Sequence, residues 1–320
     1  MTRFNRILAG IFTLQIIVAV GIYVGSQQPS ADQIQTALLT VEQKQINRIV
    51  IDDGKGKQTV LSQQDGHWQL PEYYNLPADQ GKVEQALATL GSTKSGWPVA
   101  TTASSRERFE VSDDHYQTRV TLANGDTDLE TLYLGTSPGF RQLHLRRSGD
   151  DDVYAVKLNN YDFPAANDKW LDKTLLQPKG EIAELQGPDF DVAKQGDDWK
   201  LAGDTGEVVK DEVEKLVNTL AHLSVQGAAE KTADKANYEL TLKAAGDTIH
   251  YRFFSDGGNY YAKRDNDNQA FKISKSDYEK ITGETATQLV KHGDNVSDSA
   301  DDKQHASANI EAVKKAGQQG

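Results

Sequence analysis

The first apolar run of the chain is continuous, whereas every later one is short and alternating. Residues 7–24, ILAGIFTLQIIVAVGIYV, contain no charged side chain, and as a helix they span about 27 Å at 1.5 Å per residue. Residues 26–45 are mostly polar and predict a stalk. The pattern therefore predicts a cytoplasmic stub and a transmembrane anchor in residues 1–25, followed by that stalk.

Short runs with period-two alternation follow the stalk and predict antiparallel strands. Three of them, separated by Gly and Asp turns, are INRIVID, QTVLSQQ and HWQL, at residues 46–52, 58–64 and 67–70. In the next segment Val83, Leu87 and Leu90 fall at i, i+4 and i+7 and form one apolar face of a helix. Four more strand-like runs follow, up to about residue 162, so this segment predicts an α+β unit with one packed helix.

This order of elements occurs twice. The helix KVEQALATL, residues 82–90, returns as EVEKLVNTL, residues 212–220, and each follows a strand with the pattern W-x-L, at Trp68 and Trp199. The apolar face of the second helix is predicted from Val213, Val217 and Leu220. Because the copies share apolar positions and differ at exposed ones, they indicate a duplicated core rather than a duplicated active site.

We therefore predict an α+β protein with a single N-terminal transmembrane helix followed by two duplicated units of antiparallel strands, each with one packed helix. The predicted boundaries are a first unit at residues 46–162, a helical connector at 163–180, a second unit at 181–290 and a disordered polar tail at 291–320. The main difference between the copies is an insertion in the first one, near residues 96–111.

Composition restricts the partners and the chemistry. The 320 residues are 37% hydrophobic and 26% charged, which is the balance of packed globular structure. The formal charge of −12 repels phosphate backbones, so nucleic acid is not an expected partner. Because the chain has no cysteine, it forms neither disulfides nor thiolate metal sites.

The charges that flank the apolar run predict its orientation. Arg3 and Arg6 precede it and no Lys or Arg follows before Lys44, so the positive-inside rule keeps the first residues in the cytoplasm. We expect a single-pass inner-membrane protein, with residues 7–24 in the lipid bilayer and the C-terminal bulk in the periplasm. The alternative is a signal peptide cleaved near residues 24–26, but the length of the run favours an anchor.

Three residues of the anchor are candidates for docking on another membrane helix. Gly21 and Gly25 have the G-x-x-x-G spacing that lets two helices approach closely, and Gln15 places an amide near mid-membrane. The alternative is a lone anchor, since glycine is common in such helices.

A series of loose motifs runs through about residues 46–290: the W-x-L strand, a helix ending in ALATL, a strand ending in LYLG, a hairpin closing in VYAV and the segment DKWLDKTLL. Together they resemble the bacterial family of domains of unknown function numbered 4340 (DUF4340). Phe109, Glu110 and Val111 stand where that family often has a Y-G-L-like element, so the glycine is absent here. The resemblance implies an exported protein with one anchoring helix, often encoded beside ABC-transporter components, and it supplies no catalytic residue.

The motifs with catalytic or metal-binding potential have simpler interpretations. GTSPG, residues 135–139, fits G-x-S-x-G, but the next run alternates like a strand, which favours a hairpin turn over a nucleophile elbow at Ser137. Acidic residues 150–152 suggest a hard cation, but they lie in a predicted turn, and the seven histidines lack metal-ligand spacing. We predict no catalytic residue, no metal site and no cofactor.

Aromatic side chains are the best candidates for contact with a partner. Trp68 and Trp199 recur at matched positions, which favours a core role for both. The candidate contact residues are Tyr73, Tyr74, Tyr260, Tyr261 and Trp97. The paired tyrosines present opposite faces if they lie on strands, and the tryptophan lies in the insertion that the second copy lacks.

These observations favour a membrane-anchored, periplasmic, non-catalytic accessory or scaffold protein, auxiliary to an ABC-type transport system. Its expected partners are permease or other membrane-complex subunits. The alternative is a tethered envelope module that binds glycans or peptides, and a hydrolase that uses Ser137 is the weakest of the three hypotheses.

Overall fold

The computed structural model describes residues 15, 16, 18, 36–202, 207–230, 235–283 and 286–291. The described chain is mostly β-sheet with few helices, and it divides into two compact units, Met1–Lys173 (unit 1) and Thr174–Gly320 (unit 2). Each unit contains one eight-stranded antiparallel sheet. This confirms the prediction of an α+β fold built from antiparallel strands.

Unit 1 contains ten strands and two α-helices within its described residues. They are β1 Thr36–Ala37, β2 Arg48–Asp52, β3 Gln58–Gln64, β4 His67–Leu70, β5 Leu76–Pro77, α1 Gln80–Ser92, β6 Lys94–Ser95, α2 Ala103–Arg108, β7 Thr118–Asn124, β8 Thr127–Leu134, β9 Leu143–Arg147 and β10 Val153–Val156. Short 3-10 helices lie at Gln43–Gln45, Asn160–Asp162 and Asn167–Lys169. The strand order in the large sheet is β10-β9-β8-β7-β2-β3-β4-β5.

Unit 2 contains ten strands and three α-helices in the part that the structure describes. They are β11 Ile182–Gln186, β12 Asp191–Gln195, β13 Asp198–Leu201, β14 Glu207–Val208, α3 Lys210–Ala221, β15 Gly227–Ala228, β16 Tyr238–Ala244, β17 Asp247–Asp256, β18 Asn259–Arg264, β19 Phe271–Lys272, α4 Lys275–Thr282, α5 Ala286–Leu289 and β20 Val290–Lys291. The strand order in its large sheet is β13-β12-β11-β16-β17-β18-β19-β15.

Seven strands of each sheet follow the same path, and the eighth differs, since β5 lies beside β4 in unit 1 whereas β15 lies beside β19 in unit 2. In each unit the first long strand, β2 or β11, lies inside the sheet between its hairpin partner and the strand that comes after the helix, β7 or β16. The next strands then extend the sheet outward as a meander. The repeated order of motifs in the sequence thus corresponds to a repeated topology.

The matched tryptophans and helices belong to the cores. Trp68 in β4 and Trp199 in β13 are 2% and 7% exposed, which confirms the predicted core role. All three positions predicted for the apolar face of α1 are buried. In α3 the two outer predicted positions are buried, but Val217 is only half-buried, because Leu216 one position earlier takes the buried place.

The last residues of the predicted stalk, residues 26–45, belong to unit 1. β1 pairs with β6, and the amide of Leu38 donates to the carbonyl oxygen of Thr93 at 2.9 Å. Leu38 and Leu39 are 1% and 7% exposed, because burying this apolar patch is more favourable than leaving it in water. Unit 1 therefore begins before the predicted boundary at residue 46.

The predicted helical connector, residues 163–180, contains the 3-10 helix Asn167–Lys169 and no α-helix. The carbonyl oxygen of Trp170 accepts from the amide of Asp79 at 2.7 Å, directly before α1. The carbonyl oxygen of Leu289 accepts in the same way from the amide of Val209, directly before α3, at 2.8 Å. The first part of the segment thus closes unit 1 as residues 289–291 close unit 2.

Most of the predicted anchor, residues 7–24, lies outside the described residues. Three helical positions are described there, and they include the exposed Gln15, whereas Gly21 and Gly25 lie outside. The predicted tail beyond residue 291 also lies outside. No helix formed by the described residues is both long and apolar enough to cross a membrane.

Candidate binding surface on unit 1

Two connections are longer in unit 1 than in unit 2. Residues 93–117 join α1 to β7, whereas residues 222–237 make the equivalent connection in unit 2. Residues 135–142 join β8 to β9, whereas only Gly257 and Gly258 separate β17 from β18. A duplicated core explains what the units share, so we place the candidate site at these two connections.

The two connections contact each other. The amide of Thr136 donates to the carbonyl oxygen of Phe109 at 2.9 Å, and the Phe109 ring stacks on His144 with 3.9 Å between ring centres. A Cβ atom on Gly135 would lie 2.0 Å from the Phe109 carbonyl oxygen and 2.7 Å from that of Glu110. Glycine is therefore required at the end of LYLG, because a side chain there would displace the insertion.

Arg146 holds the insertion against the sheet. Its side chain is 4% exposed, and its Nε donates to the carbonyl oxygen of Val111 at 2.6 Å. Its Nη2 donates to the Asp113 carboxylate at 2.7 Å, and its guanidinium carbon lies 4.5 Å from the centre of the Tyr133 ring. Its Nη1 reaches two further backbone carbonyls at 3.2 and 3.3 Å. A buried cation needs such hydrogen-bond partners. Because Val111 and Asp113 provide two of them, the arginine holds residues 111–113 in place.

The same cluster shifts the pKa values of its acidic and phenolic groups. The hydrogen bond from Arg146 lowers the pKa of Asp113 below its ordinary value. Burial raises the pKa of Tyr133, and its hydrogen bond to Asp113 raises it further. Burial also raises the pKa of Tyr116, whose hydroxyl donates to Asp52 at 2.8 Å. At neutral pH Asp113 is therefore ionised and both tyrosines are neutral, which are the states that form these bonds.

Glu110 adopts a left-handed backbone with φ at 54°. Glycine adopts this conformation without steric cost, whereas a glutamate here carries backbone strain. The Glu110 carboxylate accepts from the Gln117 side-chain amide at 2.7 Å, and Gln117 accepts from Asn160 Nδ2 at 2.7 Å. Asn160 Nδ2 also donates to the Gly135 carbonyl oxygen at 3.1 Å. The strained glutamate thus connects the insertion to the segment that follows β10.

Ser137 belongs to a hairpin connection. Its Oγ lies 2.7 Å from the carbonyl oxygen of Gly139 and 2.6 Å from that of Gln142, so its proton is directed into the turn. The motif lies between two antiparallel strands, β8 and β9, rather than between a strand and a helix. This geometry differs from that of a nucleophile elbow, which exposes the serine hydroxyl at a strand-to-helix turn.

A groove of about 570 Å³ lies beside this connection. It is lined by Phe140, Arg141, Gln142, Lys157, Leu158, Asn159 and Asp162. Phe140 is 88% exposed, and the guanidinium of Arg141 lies 5.2 Å from the centre of its ring. Arg141 has φ at 52°, a conformation with a steric cost for a side chain of this kind. Tyr161, on the segment that forms the other wall, is 87% exposed.

The other predicted contact residues of unit 1 lie on separate features. Trp97 is 70% exposed in the insertion, two residues before Val99, whose amide donates to the carbonyl oxygen of Val153 in β10 at 2.7 Å. Tyr73 and Tyr74 lie in the turn between β4 and β5 rather than on a strand, with 5.5 Å between their ring centres.

The predicted contact residues of unit 2 lie on β18. Tyr260 and Tyr261 are both half-buried, and the Tyr260 ring lies 4.8 Å from that of Tyr278. Tyr260 therefore packs against α4, while its neighbour faces the opposite side of the strand.

Sequence reasoning missed Phe140 and Tyr161, the two most exposed aromatic side chains among the described residues of unit 1. A usable signal was present, because the segment between the LYLG and LHL runs has no counterpart in the second copy. Tyr161 holds the position equivalent to Tyr278 of the second copy, and such a repeated position suggests a core residue. Tyr278 is indeed buried in α4. Equivalent sequence positions can thus carry opposite exposure when the local element changes from a short 3-10 helix to an α-helix.

In the part of the chain that the structure describes, no three His, Asp or Glu side chains are grouped closely enough to hold a metal ion. Two acidic side chains of the turn at residues 150–152 form hydrogen bonds with other side chains. The Asp151 carboxylate accepts from Arg106 at 2.6 Å, and the Tyr154 hydroxyl donates to Asp152 at 3.2 Å.

Comparison with known proteins agrees with the sequence motifs. The DUF4340 family, a domain of unknown function, matches residues 68–242, which is more than half of the chain and extends from β4 of unit 1 to β16 of unit 2. No curated protein and no solved structure matches the chain. The chain therefore belongs to the DUF4340 family.

Proposed function

We propose that this protein is a non-catalytic accessory or scaffold protein of a membrane assembly, anchored by residues 7–24 in the inner membrane with both units in the periplasm. The uncharged run and its flanking cations support the anchor, and the expected gene context of the family supports a role beside an ABC-type transporter. Gln15, Gly21 and Gly25 are then the residues that dock on permease helices.

One observation carries the proposal: unit 1 presents a rigidly supported contact surface that its duplicate lacks. Phe140 and Arg141 project from residues 135–142, a connection that is reduced to two glycines in unit 2. Hydrogen bonds of Ser137 stabilise this connection from within, and the stack of Phe109 on His144 supports it from outside. An exposed aromatic side chain on a braced loop suits recognition of a partner, because little conformational entropy is lost on binding.

Co-purification from membranes tests the accessory role. Tagged full-length protein is extracted in mild detergent, and the retained proteins are identified by mass spectrometry. We expect transporter subunits with the wild type, and at least about fivefold less of them with the double variant Phe140→Ala, Arg141→Ala. Lys200→Ala, which removes an exposed side chain of unit 2 outside the candidate surface, should retain them. Recovery without any transporter subunit, beside a working positive control, would contradict the proposal.

The second candidate is a tethered envelope module that binds a glycan or a peptide, and the groove of about 570 Å³ favours it. In that case the anchor is only a tether. Replacing residues 7–24 with an unrelated transmembrane helix distinguishes the two. Retained partner recovery favours the tether, whereas its loss favours docking by the anchor.

A further inference from the structure

We infer that the groove beside Phe140 binds an acidic polypeptide segment of a partner protein, through a carboxylate at Arg141 and Lys157 and an apolar side chain at Phe140. This inference rests on the proposed function, since it names the chemistry of the partner at the same surface. It follows from the charges of the groove, the support of its loop and the kind of apolar surface that it exposes.

The groove carries more positive than negative side chains. Arg141 and Lys157 line it together with a single acid, Asp162, and neither cation forms an ion pair within the described residues. The cations thus outnumber the acids in this groove, although the chain as a whole has a formal charge of −12. The guanidinium offers a planar fork of donors that matches a carboxylate, and Lys157 adds a second positive charge.

The loop that carries Phe140 and Arg141 is held by local contacts. Arg141 is held at φ 52° and lies over the Phe140 ring, so the cation and the aromatic surface are presented together. Ser137 closes the turn beneath them with contacts to Gly139 and Gln142. On the opposite wall, the Asn159 side chain accepts from the amide of Tyr161 at 3.1 Å. Both walls are therefore ordered by local hydrogen bonds before any partner arrives.

The exposed surface favours a polypeptide over a sugar. Phe140 has no polar edge, and its 88% exposure leaves an apolar ring in water next to a guanidinium. Aromatic residues and arginine are the residue types enriched at protein interfaces, where an apolar anchor and a charged pair act side by side. A side chain such as leucine fits against the ring, while a neighbouring aspartate or glutamate reaches Arg141.

The test measures binding of a fluorescein-labelled peptide of about ten residues that alternates glutamate and leucine to purified full-length protein. A peptide with lysine in place of each glutamate is the matched probe. The net charge of the protein attracts the lysine peptide and repels the glutamate peptide. A preference for the glutamate peptide therefore has to come from the groove itself.

We expect the glutamate peptide to bind at least about tenfold more tightly than the lysine peptide, and more weakly as salt rises. The variant Arg141→Ala, Lys157→Ala should raise the dissociation constant about tenfold or more, and Phe140→Ala about fivefold. The exposed Lys200 of unit 2 provides the control, and Lys200→Ala should change nothing. Arg141→Glu should reverse the preference between the two peptides, which separates charge recognition from loss of folding.

Four outcomes overturn the inference. Equal or tighter binding of the lysine peptide excludes an acidic partner, and unchanged binding by the variants places the contact elsewhere. Stronger competition by a polygalacturonate oligomer than by unlabelled glutamate peptide assigns the groove to an acidic glycan. Membrane co-purification that depends on Phe140 while the peptide fails to bind would refute the acidic segment and leave the accessory role standing.

Discussion

The Nε of Arg146 donates a 2.6 Å hydrogen bond to the carbonyl oxygen of Val111, and this bond joins the insertion of unit 1 to strand β9. The arginine is buried, whereas its carboxylate partner Asp113 has 74% of its side chain exposed. The contact to the backbone, rather than the ion pair, is therefore the main attachment, because exposed ion pairs contribute little to stability. Arg146 thus adds a buried side-chain attachment to the backbone contacts of Val99 and Phe109 that also hold the insertion.

Arg146→Ala should destabilise unit 1 by about 2–4 kcal/mol, because it leaves the Val111 carbonyl unpaired and opens a cavity beside Tyr133. Asp113→Asn should cost less than about 1 kcal/mol, since the Asp113 side chain is 74% exposed and an exposed ion pair contributes little to stability. Urea unfolding with hydrogen exchange of residues 109–115 measures both effects. Equal losses in the two variants would show that the ion pair, not the backbone contact, holds the insertion.

Gly135→Ala should displace the insertion and destabilise the protein by at least about 2 kcal/mol, because the new methyl group would meet the carbonyl oxygen of Phe109. The matched control is Gly139→Ala in the same connection, where a Cβ atom meets nothing within 4 Å and φ is not in the left-handed region. Thermal unfolding compares the two. A control as unstable as the Gly135 variant would mean that any change in this turn is harmful.

Glu110→Gly should be more stable than Glu110→Ala by about 1 kcal/mol, because both lose the carboxylate bond to Gln117 but only glycine relieves the strain at φ 54°. The difference in stability between the two variants therefore measures the backbone strain at residue 110, without the contribution of the hydrogen bond. Chemical unfolding of both variants under the same conditions gives the difference. An alanine variant at least as stable as the glycine variant would contradict a left-handed backbone at this position.

Acidification should loosen residues 135–142. Burial lowers the pKa of His144 below its ordinary value of 6.5, and the charge of Arg108 lowers it further, whereas a hydrogen bond that the ring donates to the backbone of Thr136 raises it. A lowered pKa in the folded state means that the unfolded state binds more protons. The contribution of His144 to stability is therefore fully present above about pH 6.5 and is lost as the pH falls toward the lower folded value.

Hydrogen exchange of residues 135–142, corrected for the intrinsic pH dependence of exchange, checks this effect between about pH 7 and about pH 5. His144→Phe keeps an aromatic ring against Phe109 and removes the titration, so its protection should not change with pH. If wild-type protection is the same at both pH values, protonation of His144 does not loosen this connection.

Much of the architecture could be predicted from local patterns. The spacing of Val83, Leu87 and Leu90 predicted α1, and the recurrence of Trp68 as Trp199 predicted two related cores, because these positions obey the periods of helix and strand. The ends of the two units were harder to predict from the sequence. Leu38 and Trp170 are buried by contacts with distant residues, and no local period reports such contacts.

The candidate site, unlike the architecture, could not be predicted from local patterns. Phe140 was not predicted as a contact residue, because a single aromatic side chain in a polar turn has no periodic signal. Its importance appears only when the connection that carries it is seen to rest on Phe109 and His144, which lie outside that connection. The orientation of such a loop depends on its tertiary support and not on its own sequence.

The sequence by itself determined the acidic charge, the apolar run at residues 7–24, the duplication and the family, since these depend on residue type and order alone. Only the tertiary structure decided where each unit ends, why Gly135 tolerates no side chain and which cations lack an ion pair among the described residues. The physical reason is that burial, close approach and charge pairing are properties of residues brought together across the fold, and no stretch of chain encodes them separately.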